Sequence, residues 1–180
     1  ADKVALEGFE RFRGGLDVKT NTTGTHTYYT QFRESEIIFH VSTLLPFDNV
    51  NDQQLERKRH IGNDVVLIIF LDSDDMQWRF DPDAMCSQVN QVFFIVRPLL
   101  SPAGKMIDVA VNIVHKKGVP PYQPFLSDPP VVTLDEAGRY FFLTKLINAE
   151  RAAMCAPVYR NKLRRSRRQM LQHLVDTFSC

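Results

Sequence analysis

The sequence predicts an α/β domain in which helices flank a central mixed sheet. Three observations point there. Apolar runs of strand length are mixed along the chain with stretches of helical spacing. The run VVLIIFL (65–71) has no polar alternation, as expected of a strand covered on both faces. The chain has 180 residues, 44% hydrophobic and 24% charged, which suits one domain with its own core.

The elements follow in order. RGGLDVKTNTTG (13–24) is rich in turn formers, with Gly14, Gly15, Asn21 and Gly24 as breakers. HTYYTQF (26–32) is β-branched and aromatic and reads as a strand. EIIFHVSTLLP (36–46) reads as a longer one, stopped by Pro46. After the loop FDNVND, Asp52 is placed to cap a short polar helix, QQLERKRH, that faces water. The strand at 65–71 precedes a DSDD surface turn. The lone Trp78 beside that turn reads as cover for a core edge.

VFFIVRPL (92–99) and MIDVAVNIV (106–114) read as two strands joined by the turn SPAGK. KKGVPPYQPFLSDPPVV (116–132) holds five of the ten prolines, so it reads as an extended surface loop. A long helix over 135–155 has apolar residues at helical spacing, and Pro157 ends it. A final helix over 158–178 carries Arg160, Lys162, Arg164, Arg165, Arg167 and Arg168.

Composition excludes several classes. The formal net charge of +1 gives no global field for nucleic acid. Three dispersed cysteines, Cys86, Cys155 and Cys180, fit neither a disulfide framework nor a zinc site, which points to a reducing, cytoplasmic setting. No apolar run approaches the roughly 20 residues of a membrane helix. A phosphate loop, a G-x-G-x-x-G turn, a G-x-S-x-G elbow and an H-E-x-x-H pair are all absent, so no metal site or nucleotide site of its own is expected. The five histidines are not paired at ligand spacing. His40, between Phe39 and Val41, reads as a core histidine held by a hydrogen bond. The chain begins at Ala1, and the expectation is a domain cut from a longer protein.

One cluster has chemical content. Arg57, Lys58, Arg59 and His60 are consecutive, so on a helix they fan around the axis and meet different surroundings. Gly62 stands where a helix commonly ends in a left-handed residue. Asn63 then projects between helix and strand, and its carboxamide offers both a donor and an acceptor. From the residues alone, a plain turn at Gly62, Asn63 and Asp64 beside a solvated basic face remains open.

RKRHIGND ahead of an apolar strand resembles the signature of the Rap/Ran-GAP domain family, GTPase-activating proteins for small Ras-like GTPases. FRGGLD (12–17) with Thr23 and Gly24, EIIFHVSTLLP, QQLERKRHIGND and FFLTKLINAE (141–150) resemble its Rap-specific branch, and the likeness runs from Phe12 into the last helix. It implies one Rap-GAP catalytic domain over 1–180, layered much like a small GTPase. Ras-like GTPases use a glutamine to orient the attacking water, and many activators add an arginine finger. Rap lacks that glutamine, and the family supplies an asparagine thumb in trans.

By this resemblance Asn63 is the catalytic thumb. His60 supports it, and Arg59 contacts the GTPase or braces the helix. Arg57 and Lys58 dock the acidic switch surface, while Gly62 and Asp64 shape the turn. No arginine finger is expected. GTP and Mg²⁺ come with the partner, a GTP-bound Rap-type GTPase, at membranes where Rap is anchored. Dimerisation and nucleic-acid binding are not expected. The family commonly has a hydrophobic–glycine pair where this chain has Tyr122 and Gln123, which bears on partner preference. Two alternatives stand beside this reading. One is a scaffold that binds a small GTPase without the chemistry. The other is a nucleic-acid or membrane-binding module built on the basic last helix.

Overall fold

The structure, a computed structural model, describes residues 1–50, 52–71 and 80–178. Trp78 and the DSDD turn lie outside the described residues. The chain divides into two compact units, Ala1–Asp64 and Val65–Cys180.

The first unit is a three-stranded antiparallel sheet of order β1-β2-β3 with one short helix. Its elements are β1 (Asp2–Ala5), β2 (His26–Phe32), β3 (Ser35–Phe39) and α1 (Leu55–Ile61). β-branched and aromatic residues make β2 a strand, with Thr27 buried on one face and Thr30 and Phe32 on the other. β1 carries no such pattern and was not expected. It is held as an edge strand by pairing Asp2–Ala5 with His26–Tyr29. β3 is shorter than the run 36–46 suggests. After Phe39 the chain turns, with the Leu44 amide donating to the Val41 carbonyl. Leu6, Leu16 and Leu45 form the core, with Ile38 and Ile61 packed on it.

The turn-rich segment 13–24 is organised by Asp17. Its carboxylate accepts from the Thr20 and Thr22 hydroxyls and from the amides of Lys19, Thr20 and Thr22. The Thr20 hydroxyl first, then those amides, hold its carboxyl far below the usual carboxylate range.

The second unit holds the mixed sheet, of order β4-β5-β6-β7: β4 (Val66–Phe70), β5 (Val92–Leu100), β6 (Met106–His115) and β7 (Val131–Thr133). β4 and β5 are parallel, and the other pairs are antiparallel. Here one expectation is corrected. β4 is an edge strand, with Ile68 42% and Phe70 58% exposed. The strand buried on both faces is β5, whose Val92–Val96 are all buried. A continuous apolar run marks a strand but does not say which edge finds a partner.

β7 closes the sheet at the end of the proline-rich loop, where only a loop was expected. α2 (Glu136–Ala153) packs on the sheet, with Phe142 edge-on to Phe94. Asp135 caps α2 by accepting from the Gly138 amide at 2.7 Å. α3 (Pro157–Phe178) starts on its proline, which needs no hydrogen bond there.

Candidate functional site

α1 begins abruptly. Asp52 does not cap it. The N-cap position belongs to Gln54, which is left-handed (φ 47°) and makes no side-chain cap. The helix ends in tight turns. The Gly62 amide donates to the Lys58 carbonyl at 2.8 Å, and the Asn63 amide to the His60 carbonyl at 3.0 Å. Gly62 is therefore right-handed (φ −68°), not the left-handed residue expected. Its glycine is required for another reason: a Cβ there would lie 2.5 Å from the Lys58 carbonyl oxygen.

This ending presents Asn63. The side chain is exposed, and its Nδ2 donates to the Arg59 carbonyl at 2.6 Å. One carboxamide bond is thus used to fix its orientation against the helix end, where carbonyls lack intrahelical donors. Among the described residues, Oδ1 has no partner.

Beneath it lies a polar network. His40 Nδ1 stands 2.8 and 3.0 Å from the two Asp64 carboxylate oxygens, and Nε2 is 3.0 Å from the Gly14 carbonyl. Both partners are acceptors, so the setting suits a ring that carries a proton on each nitrogen, the imidazolium. Burial works to lower its pKa. The hydrogen bond and charge of Asp64, with the Gly14 carbonyl, outweigh that and raise it. Gly14 is left-handed (φ 55°), and a Cβ there would press on Ile38 and His40.

His60 is buried, with its ring edge-on to His40 at a centroid distance of 4.9 Å. Burial first, then the positive His40 and Arg59, push its pKa down. His60 is thus a neutral ring against a charged one.

The four consecutive basic residues do fan out. Arg57 donates from Nη2 to the Leu45 carbonyl at 3.2 Å, and its guanidinium lies 4.8 Å from the Phe47 ring centre. Lys58 is exposed. Arg59 is exposed and 3.9 Å from Glu56, one turn earlier. The site is therefore an exposed carboxamide flanked by two exposed cations, beside a part-buried His40–Asp64 pair.

The sequence model of the Rap/Ran-GAP family matches residues 1–168. The chain belongs to the Rap/Ran-GAP family. It is 42% identical over 181 residues to a GTPase-activating protein of Dictyostelium discoideum, covering 99% of this chain and 17% of that protein. It is 39% identical over 173 residues to the human GTPase-activating Rap/Ran-GAP domain-like protein 3, covering 96% and 17%. With the mouse signal-induced proliferation-associated 1-like protein 3 it shares 40% identity over 175 residues, covering 97% and 10%. The solved TSC2 GAP domain is 30% identical with a TM-score of 0.66, over 84% of this chain and 77% of that one. The chain thus spans no more than a fifth of the full-length relatives named here.

Two structural features of this Rap/Ran-GAP domain were not predicted. His40 was read as a core histidine, and it is one. What the sequence did not show is that its partner is Asp64, within the HIGND segment. The second lies in the other unit, where LTKLINAE grips the proline-rich loop. Lys145 Nζ donates to the Tyr122 carbonyl at 2.7 Å, and Asn148 Nδ2 to the Gln123 carbonyl at 2.8 Å.

Proposed function

We propose that this domain stimulates GTP hydrolysis by a Rap-type small GTPase in its GTP-bound state. Asn63 acts in trans to orient the attacking water. The observation that carries this reading is the Asn63 carboxamide itself, exposed, anchored through Nδ2, and open at Oδ1. Oδ1 accepts a hydrogen bond from the water and turns a lone pair of that water toward the γ-phosphorus. The second Nδ2 proton stays available for a phosphate oxygen. Asn63 carries no charge and takes no proton permanently. Its contribution is positioning, on the order of 10³–10⁵ in rate, roughly 4–7 kcal/mol.

The other residues serve that placement. His60 and the His40–Asp64 pair hold the helix end in one geometry. Lys58 is the freer docking cation for an acidic switch surface. Arg57 adds to docking while also holding Leu45, and Arg59 either meets the GTPase or braces α1. The partner supplies GTP and Mg²⁺. The reading draws support from relatives named as GTPase-activating proteins and from the Rap/Ran-GAP family match. The setting proposed is the cytoplasm, at membranes that anchor the GTPase.

The test is single-turnover GTP hydrolysis by Rap. Wild type accelerates it strongly, and Asn63→Ala, still folded, does so hardly at all. Acceleration kept by Asn63→Ala would remove the thumb. No acceleration of any Ras-like GTPase by wild type would leave a binding scaffold.

A further inference from the structure

We propose that α3 is a docking surface for an anionic lipid bilayer. The helix has 22 residues, about 33 Å at 1.5 Å per residue, and none of them is buried. Its root is fixed, because the Tyr159 hydroxyl donates to the Val89 carbonyl at 2.7 Å. Beyond that turn, two chemistries follow one another along the axis. Residues 160–168 hold six cations: Arg160, Lys162, Arg164, Arg165, Arg167 and Arg168. Residues 170–178 hold Met170, Leu171, Leu174, Val175 and Phe178, exposed by 51–76%. The only acidic residue on α3 is Asp176.

Helical geometry decides how these lie. At 100° per residue, Leu163, Met170, Leu174 and Phe178 fall within about 80° of one another, and Leu171 and Val175 widen the stripe to roughly 140°. Arg160, Arg164 and Arg167 point within that same arc, one to three turns earlier. One side of α3 is thus cationic near its root and apolar toward its tip.

A purely solvated helix has no use for so many large exposed apolar side chains. Nucleic acid would take the cations but leave the apolar tip idle, and no aromatic lies between Arg160 and Thr177 to stack on a base. A second copy fits poorly too. A parallel pair sets six cations against six, and an antiparallel pair lays each cationic half on the other's apolar half. A bilayer with anionic headgroups meets both halves at once. The arginines bind headgroup phosphates and carboxylates, and the stripe enters the acyl boundary. Among the described residues no helix is long and apolar enough to cross a membrane, so the contact is peripheral.

The inference does not depend on GTPase activation, since lipid binding is read without a GTPase. The experiment is co-sedimentation of the chain with phosphatidylcholine vesicles, with and without phosphatidylserine, at two salt concentrations. Binding to the phosphatidylserine vesicles alone is expected, weakening as salt rises. Arg164→Glu with Arg168→Glu should weaken it by about 30-fold or more, at roughly fivefold per cation lost. Leu171→Ser with Leu174→Ser should abolish it at unchanged charge. All four positions are exposed, so an unchanged circular dichroism spectrum is expected. Equal binding to both vesicle types, no binding to either, or full binding by either double variant overturns the proposal. So does duplex DNA or RNA binding tighter than lipid binding, or a dimer lost in the leucine variant without lipid binding in wild type.

Discussion

The His40 ring and the Asp64 carboxylate face each other at 2.8 Å, with the His40 side chain only 10% exposed. This pair ties the end of β3 to the residue that follows Asn63. Its partner ring, His60, is pushed the other way, and the two signs give a specific pH profile. His40 has a raised pKa, so its contribution is complete below the unfolded value of 6.5 and is lost as pH rises through the folded value. His60 has a lowered pKa, so its contribution is present above 6.5 and is lost as pH falls through its folded value. Stability from these two rings therefore peaks near pH 6.5. Urea unfolding from pH 5 to 9 should show that maximum, and His40→Gln should lose the fall on the alkaline side. The same variant should be destabilised by about 2–3 kcal/mol at pH 6, the worth of a charge-assisted hydrogen bond. An alkaline limb that persists unchanged in His40→Gln would assign it to other groups.

Asn63→Asp separates the carboxamide from mere polarity. The new side chain keeps the size but replaces the Nδ2 donor with an oxygen facing the Arg59 carbonyl, which stood 2.6 Å from that donor. Under the proposed function it also brings a negative charge toward the γ-phosphate. Stimulation of Rap should fall by at least about 10³, as for Asn63→Ala, while stability changes by about 0.5 kcal/mol or less at this exposed position. Single-turnover hydrolysis and thermal unfolding on one preparation check both halves. A variant that unfolds early would show that Asn63 holds the helix end together.

Gly62→Ala tests the close approach at the end of α1. The backbone is right-handed, so alanine has no conformational penalty there. The obstacle is the Lys58 carbonyl oxygen, 2.5 Å from the added Cβ. That oxygen belongs to the backbone and moves only if the last turn moves, carrying Asn63 with it. The expected outcome is a loss of about 1–3 kcal/mol in stability, the usual scale for overpacking. A lowered kcat for stimulated hydrolysis, with KM for the GTPase little changed, should accompany it. An alanine variant with wild-type kcat would mean that the turn relaxes without displacing the thumb.

Much of this architecture was legible locally. β2 is β-branched and aromatic, and its limits match the sequence reading, His26–Phe32. The helical spacing read over 135–155 matches α2, Glu136–Ala153, which Asp135 caps. What failed was long-range. β1 is four residues with two charges, and only pairing with β2 makes it a strand. β7 hides behind prolines, and β4 looks central because sequence does not say which edge stays open. At the site, the resemblance singled out the HIGND residues, but the pairing of His40 with Asp64, 24 residues away, was not legible. His60 was legible as polar and not as buried. Buried, it packs edge-on against His40, a contact that no local pattern encodes.

The last prediction concerns LTKLINAE. Lys145 is buried on α2, and its ammonium lies 3.9 Å from the Tyr122 ring centre while donating to the Tyr122 carbonyl. Burial lowers the Lys145 pKa, and burial pushes the Tyr122 hydroxyl up to about 12. Asn148 holds the next carbonyl, that of Gln123, from one turn further along the same helix face. The two side chains thus pin the loop where this chain departs from the usual family wording. Lys145→Met keeps most of the apolar stem but leaves the Tyr122 carbonyl without its donor. It should cost about 1.5–3 kcal/mol, against about 0.5–1.5 kcal/mol for Asn148→Ala, whose side chain is half-buried. Limited proteolysis should then cut within 119–130 faster in Lys145→Met than in wild type. If that loop contacts the GTPase, KM should rise while kcat, which the proposed function assigns to Asn63, stays near wild type. Wild-type protease resistance in Lys145→Met would show that proline stiffness alone holds the loop.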